Sequence, residues 1–166
     1  VYRLTVGELP FIKDIYPRGG RRGETVELTL EGINLPGERL ELAIPADSEA
    51  VRTVTVEQDG YVSNALPFAV DNLPELTESE PNDEPAQADV LGRSSVFNGL
   101  IAAEGDADLY RFKGIKGAEA VFEITARRLD SPLDARLILY DAQTMEEVAR
   151  EADTTDPAQG LMTHHA

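Results

Sequence analysis

Glu78, Glu80, Asn82 and Asp83 fall within TESEPND (77–83), and Asp106 and Asp108 follow in GDADLYRF (105–112). All six offer hard oxygen donors, and none offers nitrogen or sulfur in the role of ligand. Oxygens gathered this densely, in a run stiffened by Pro81, suit Ca²⁺, which takes about six to eight oxygen ligands in adaptable geometry. No Lys or Arg occurs between Thr53 and Gly92, so no cation close in sequence balances these carboxylates. The competing reading is a solvated acidic linker, the usual nature of acidic runs containing proline. On residue types alone both readings stand.

Other chemistry finds less support. A hydrolase needs a nucleophile, a base and an orienting acid, or two carboxylates held across a cleft. The only histidines, His164 and His165, are adjacent, and on a strand they would point to opposite faces. No G-x-S-x-G elbow and no H-E-x-x-H helix occurs. Asp106 and Asp108 could be read as a glycosidase pair, but the acids around them favour an ion. Gly19, Gly20 and Gly23 among Arg18, Arg21 and Arg22 invite a phosphate-loop reading, which fails because the turn opens a strand and not a helix. A wide turn with glycines at positive φ is expected there, its arginines solvated or paired with acids. These residues predict no enzyme.

The chain has 166 residues, no cysteine and a formal net charge of -16. That charge repels nucleic acid and anionic membrane surfaces, so neither is expected as a partner. Aromatic residues are 6% of the chain, too few for a base-stacking platform. No apolar run approaches the roughly 20 residues of a membrane-spanning helix, which predicts a soluble chain without membrane insertion. No charged-then-apolar leader is present, and a chain opening on Val1 reads as part of a longer protein.

The elements that must position the acids read as strands. Val26, Leu28 and Leu30 alternate with Thr25, Glu27, Thr29 and Glu31, and Leu40, Leu42 and Ile44 repeat the pattern. Gly- and Pro-containing breaks about every ten residues argue for an antiparallel sandwich. Tyr2 to Gly7 alternates as an orphan strand. Further strands are expected at 96–101, 109–113, 120–127 and 135–141, with Phe122, Ile124, Leu137 and Leu139 facing inward. A short helical turn is expected over 84–91. Residues 145–152 are good helix formers, so only the family pattern described next favours a strand over Glu147 to Glu151.

EPND, then NGLIAAEGDADLYRF, then AVFEITARRLDSPLDARLILYDA resemble the bacterial pre-peptidase C-terminal domain over Glu78 to Glu151. That family is a β-sandwich module of exported bacterial proteins, similar here to the collagen-binding modules of clostridial collagenases. The resemblance implies calcium held by Glu78, Glu80, Asn82 and Asp83 with Asp108, and with Asp106 in a loop whose register differs by a residue. It also implies a hairpin turn near Thr144. IKDIYPRGGRRGETVELTLEGINLPG and SNALPFAV resemble the opening and closing strands of an IPT/TIG immunoglobulin-like domain.

The expected organisation is all-β. It comprises a closing strand of a preceding module (1–8), an Ig-like domain (9–71), a linker (72–77) and an incomplete pre-peptidase-like sandwich (78–166). The resemblance implies a secreted or cell-surface protein. It would act as a non-catalytic spacer with a calcium-stiffened joint, as a recognition module for a glycan or matrix protein, or as a processed peptidase tail. Partners would be other modules, an extracellular glycan or protein, or a neighbouring copy exchanging a strand.

Overall fold

The computed structural model describes residues 1–2, 4–92 and 94–151. Apart from one 3₁₀ turn, its regular structure is all strand, as the alternation and the Gly/Pro breaks predict. The chain divides into two compact units, one over Val1–Glu78 with Ser94–Leu100 and one over Ser79–Arg93 with Ile101–Ala166.

In the first unit β1 (Phe11–Tyr16), β3 (Thr25–Ile33) and β4 (Arg39–Ala43) form an antiparallel sheet in the order β1-β3-β4. A second sheet orders β2 (Gly19–Arg21), β8 (Leu66–Asp71) and β5 (Val51–Val54) as β2-β8-β5, with β2 parallel to β8. Period-two alternation puts Leu28 and Leu30 of β3, and Leu66, Phe68 and Val70 of β8, into one shared core between the sheets. Ile12 and Ile15 of β1 are both buried although three residues apart, which strict alternation forbids. The register slips between Ile12 and Asp14, and this bulge turns both side chains inward. Asn64 completes the strand there, its Oδ1 accepting from Ile12 N at 2.7 Å and its Nδ2 donating to Ile12 O at 2.9 Å. β6 (Glu57–Gln58) and β7 (Tyr61–Val62) form a short hairpin, and β9 (Glu75–Thr77) pairs in parallel with β11 (Val96–Asn98).

In the second unit β10 (Asp89–Leu91) lies parallel to β12 (Tyr110–Phe112), and β13 (Leu137–Tyr140) pairs antiparallel with β14 (Glu147–Glu151). The strand expected over 147–151 therefore forms despite its helix-favouring residues. Asp141 closes the hairpin: its Oδ1 accepts from Gln143 N and Thr144 N at 2.8 and 2.9 Å, which holds its carboxyl below the usual range. Burial is sparse here, with Ala126, Leu129 and Ala135 the buried apolar residues among those described. Phe112 and Phe122 meet with ring centroids 5.0 Å apart.

Several expectations change. Residues 120–127 form no strand and Phe122 is 41% exposed, because no strand among the described residues takes up their main-chain groups. The described residues of 2–7 likewise form no strand, and Tyr2, Leu4 and Val6 stand exposed. Within 84–91 only a turn closed by Gln87 N on Glu84 O precedes β10, since the second half pairs with β12. Gly19 and Gly20 are buried strand residues, and of the three glycines only Gly23 has positive φ. The reason is close packing: a Cβ on Gly20 would lie 2.5 Å from Ile44 Cδ1. The neighbouring arginines are engaged, Arg18 with Asp14 at 2.5 Å, Arg21 with Glu24 at 3.2 Å and Arg22 Nε with Ser48 O at 2.8 Å.

Candidate metal centre

The chain leaves β9 at Thr77 and enters the acidic segment. Glu78 N donates to Asn98 O at 3.2 Å, and Glu78 Oε1 accepts from Leu100 N at 2.5 Å, so this carboxylate is oriented by main chain. Beyond it the segment folds onto the loop before β12. Ser79 N donates to Asp89 Oδ2 at 2.8 Å, Leu109 N to Asn82 O at 3.2 Å, and Ala107 N to Asp83 Oδ1 at 3.0 Å. Asn82 is wholly buried, the single fully buried polar residue among those described. Glu80 Oε2 accepts from Asn82 N at 3.0 Å across a cis Glu80–Pro81 peptide.

Carboxylate oxygens of Glu78, Glu80 and Asp108 lie within 4.8 Å of one another. Asp108 Oδ1 and Asn82 Oδ1 are both buried. Two unit charges 4 Å apart interact by about 1 kcal/mol in bulk water and about 4 kcal/mol at an effective dielectric of about 20, so neighbouring carboxylates with a buried oxygen repel appreciably. A divalent cation would relieve that repulsion, and an all-oxygen donor set is the kind that Ca²⁺ accepts. The residues present therefore fit a hard cation.

Of the six residues expected as ligands, the structure gathers Glu78, Glu80 and Asp108. Asp83 and Asp106 lie outside that group, each giving an oxygen to main chain: Asp83 to Ala107 N, and Asp106 Oδ2 to Ala102 N at 2.5 Å. Their visible work is to shape the two loops. Asn82 anchors the segment through its carbonyl and its buried side chain. His164 and His165 lie outside the described residues.

Sequence reading missed Glu75 and Asn98. Asn98 Nδ2 donates to Glu75 Oε2 at 2.6 Å, and Tyr16 Oη donates to Asn98 O at 2.9 Å. Burial pushes the Glu75 carboxyl up from its ordinary value, the Asn98 bond opposes this, and Asp71 and Glu24 add to it. A carboxyl raised in the folded state contributes stability that is full below its unfolded pKa and is lost as pH rises through the folded value. Glu75→Gln is therefore expected to leave the first unit more stable than wild type at neutral pH, with the difference vanishing below about pH 4. Melting curves of both proteins across that range check it; a Gln variant less stable at pH 7 would contradict the assignment. The pairing had no local signal in the sequence, because the partners are brought together only by the β9–β11 ladder.

No helix among the described residues is long and apolar enough to cross a membrane. No family model, curated protein or solved structure matches the chain.

Proposed function

We propose that this chain is a non-catalytic β-sandwich portion of an exported multidomain protein, serving as a spacer or accessory module whose acidic segment is fastened by calcium. The observation that carries this reading is the convergence of Glu78, Glu80 and Asp108 oxygens within 4.8 Å. The resemblance of 78–151 to pre-peptidase C-terminal modules, and of 11–70 to IPT/TIG domains, supports the same view and the secreted or cell-surface setting that goes with it. Glu78, Glu80 and Asp108 would hold the ion, with Asn82, Asp83 and Asp106 completing or shaping the site. The bound ion supplies charge neutralisation and a fixed point for the segment.

The recognition alternative gains nothing from the aromatic residues. Tyr61 and Tyr140 are exposed but lie on β7 and β13, which belong to different sheets, so they make no aromatic strip on a single sheet.

Amide hydrogen exchange with calcium and with chelator tests the proposal. Calcium is expected to slow exchange at Asn82, Ala102, Ala107 and Leu109, whose N–H groups hold the two loops, and to leave β3 and β8 unchanged. Equal exchange at those four amides under both conditions would contradict it.

A further inference from the structure

A cavity of about 190 Å³ within the first unit is lined by Pro17, Gly19, Gly20, Arg21, Glu24, Glu75 and neighbouring residues. Its walls mix two chemistries. Pro17, Val26, Ile44 and Leu76 supply apolar surface, while Glu75, Asn98 and Thr25 supply polar atoms. The charges are unequal in their pairing. Arg21 is bound to Glu24 at 3.2 Å, so each has its counter-ion. Glu75 has one oxygen held by Asn98, and its Oε1 receives no hydrogen bond among the described residues. Gly19 leaves that oxygen room: a Cβ there would stand 3.5 Å from Glu75 Oε1.

We infer that this cavity is a binding site for a primary alkylammonium group, with Glu75 Oε1 as the counter-ion of the ammonium and the apolar wall receiving its methylene stem. A carboxylate next to apolar surface is poorly solvated when ionised, and a cation beside it offsets that cost. Burial raises the Glu75 carboxyl, the Asn98 bond opposes this, and Asp71 and Glu24 add to it, while Arg21 lines the cavity paired with Glu24. A primary ammonium suits the place better than a guanidinium, because one oxygen is open and not a planar pair. The group could arrive as a free amine or as a lysine side chain.

The experiment is a titration of the isotope-labelled chain, read by amide chemical shifts, with n-butylammonium chloride and separately with Nα-acetyl-lysine methylamide, against sodium chloride at equal ionic strength. Saturable shifts at Gly19, Gly20, Leu76 and Asn98 are expected, with Kd of about 1 mM, at the weak end of specific recognition. Glu75→Gln keeps the size of the side chain and its bond to Asn98 but removes the charge, and is expected to weaken binding about 10-fold or more. Gly19→Ala places a methyl group beside Oε1 at ordinary contact distance and is expected to weaken binding while leaving the fold intact. Tighter binding of the lysine derivative assigns the site to a protein lysine, and equal binding assigns it to free amines; either supports the pocket. Shifts no larger than those of sodium chloride, shifts mapping elsewhere, or unchanged affinity in both variants would overturn it.

Discussion

Phe68→Ala is expected to destabilise the first unit by about 3–5 kcal/mol, the range for removing a buried aromatic ring from a packed core. Phe68 is 0% exposed on β8 and packs with Ile12, Leu28, Val54 and Val70 from both sheets. Its ring also faces Gly20, where a Cβ would stand 3.1 Å from Phe68 Cζ. Truncation therefore opens a void within the core that the two sheets share, and neither strand can close in without disturbing its ladder. Single domains are stable by only about 5–15 kcal/mol, so the loss is a large part of the total. Urea unfolding followed by circular dichroism measures it, with a lowered midpoint and little change in slope expected. A change under about 1 kcal/mol would mean that the side chain is not enclosed as described.

Asp108→Ala is expected to reverse its effect with calcium. In chelator the variant removes one of three crowded carboxylates, so the second unit should melt at or above the wild-type temperature. In calcium it lacks a ligand and should fall below wild type. The wild-type gain at calcium ten times Kd is about 1.4 kcal/mol. That corresponds to several degrees, on the order of 4–8 °C per kcal/mol for a domain of about 60–100 residues. Melting curves of both proteins in calcium and in chelator check it. A variant that is less stable than wild type in both conditions by the same amount would make Asp108 a structural residue and not a ligand.

The central strand of the first unit was legible because its alternation is local: Leu28 and Leu30 declare a buried face from neighbouring residues alone. The β1 bulge was not, since Ile12 and Ile15 share a face only through a slip of register against β3. Gly19 and Gly20 misled in the same way. Their clustering reads as a turn, but what fixes Gly20 is the approach of Ile44 from a distant strand. In the candidate site the acid-rich runs were visible as composition, and three of the acids do converge. Which three was not visible, because Asp83 and Asp106 accept main-chain bonds from loops whose folding no local pattern encodes. Residues 120–127 form no strand for want of a partner among the described residues, as alternation marks a face but does not provide a neighbouring strand.

The central claim is that Glu78, Glu80 and Asp108 hold calcium, and calorimetric titration of the chelator-treated chain with Ca²⁺ tests it most directly. One ion per chain is expected, with Kd of about 10⁻⁴ to 10⁻³ M, the range of extracellular modules. The heat should vanish in Asp108→Ala and in Glu80→Ala. No heat, and no change in melting temperature up to several times about 10⁻³ M calcium, would contradict the site and leave the acidic segment a solvated tether.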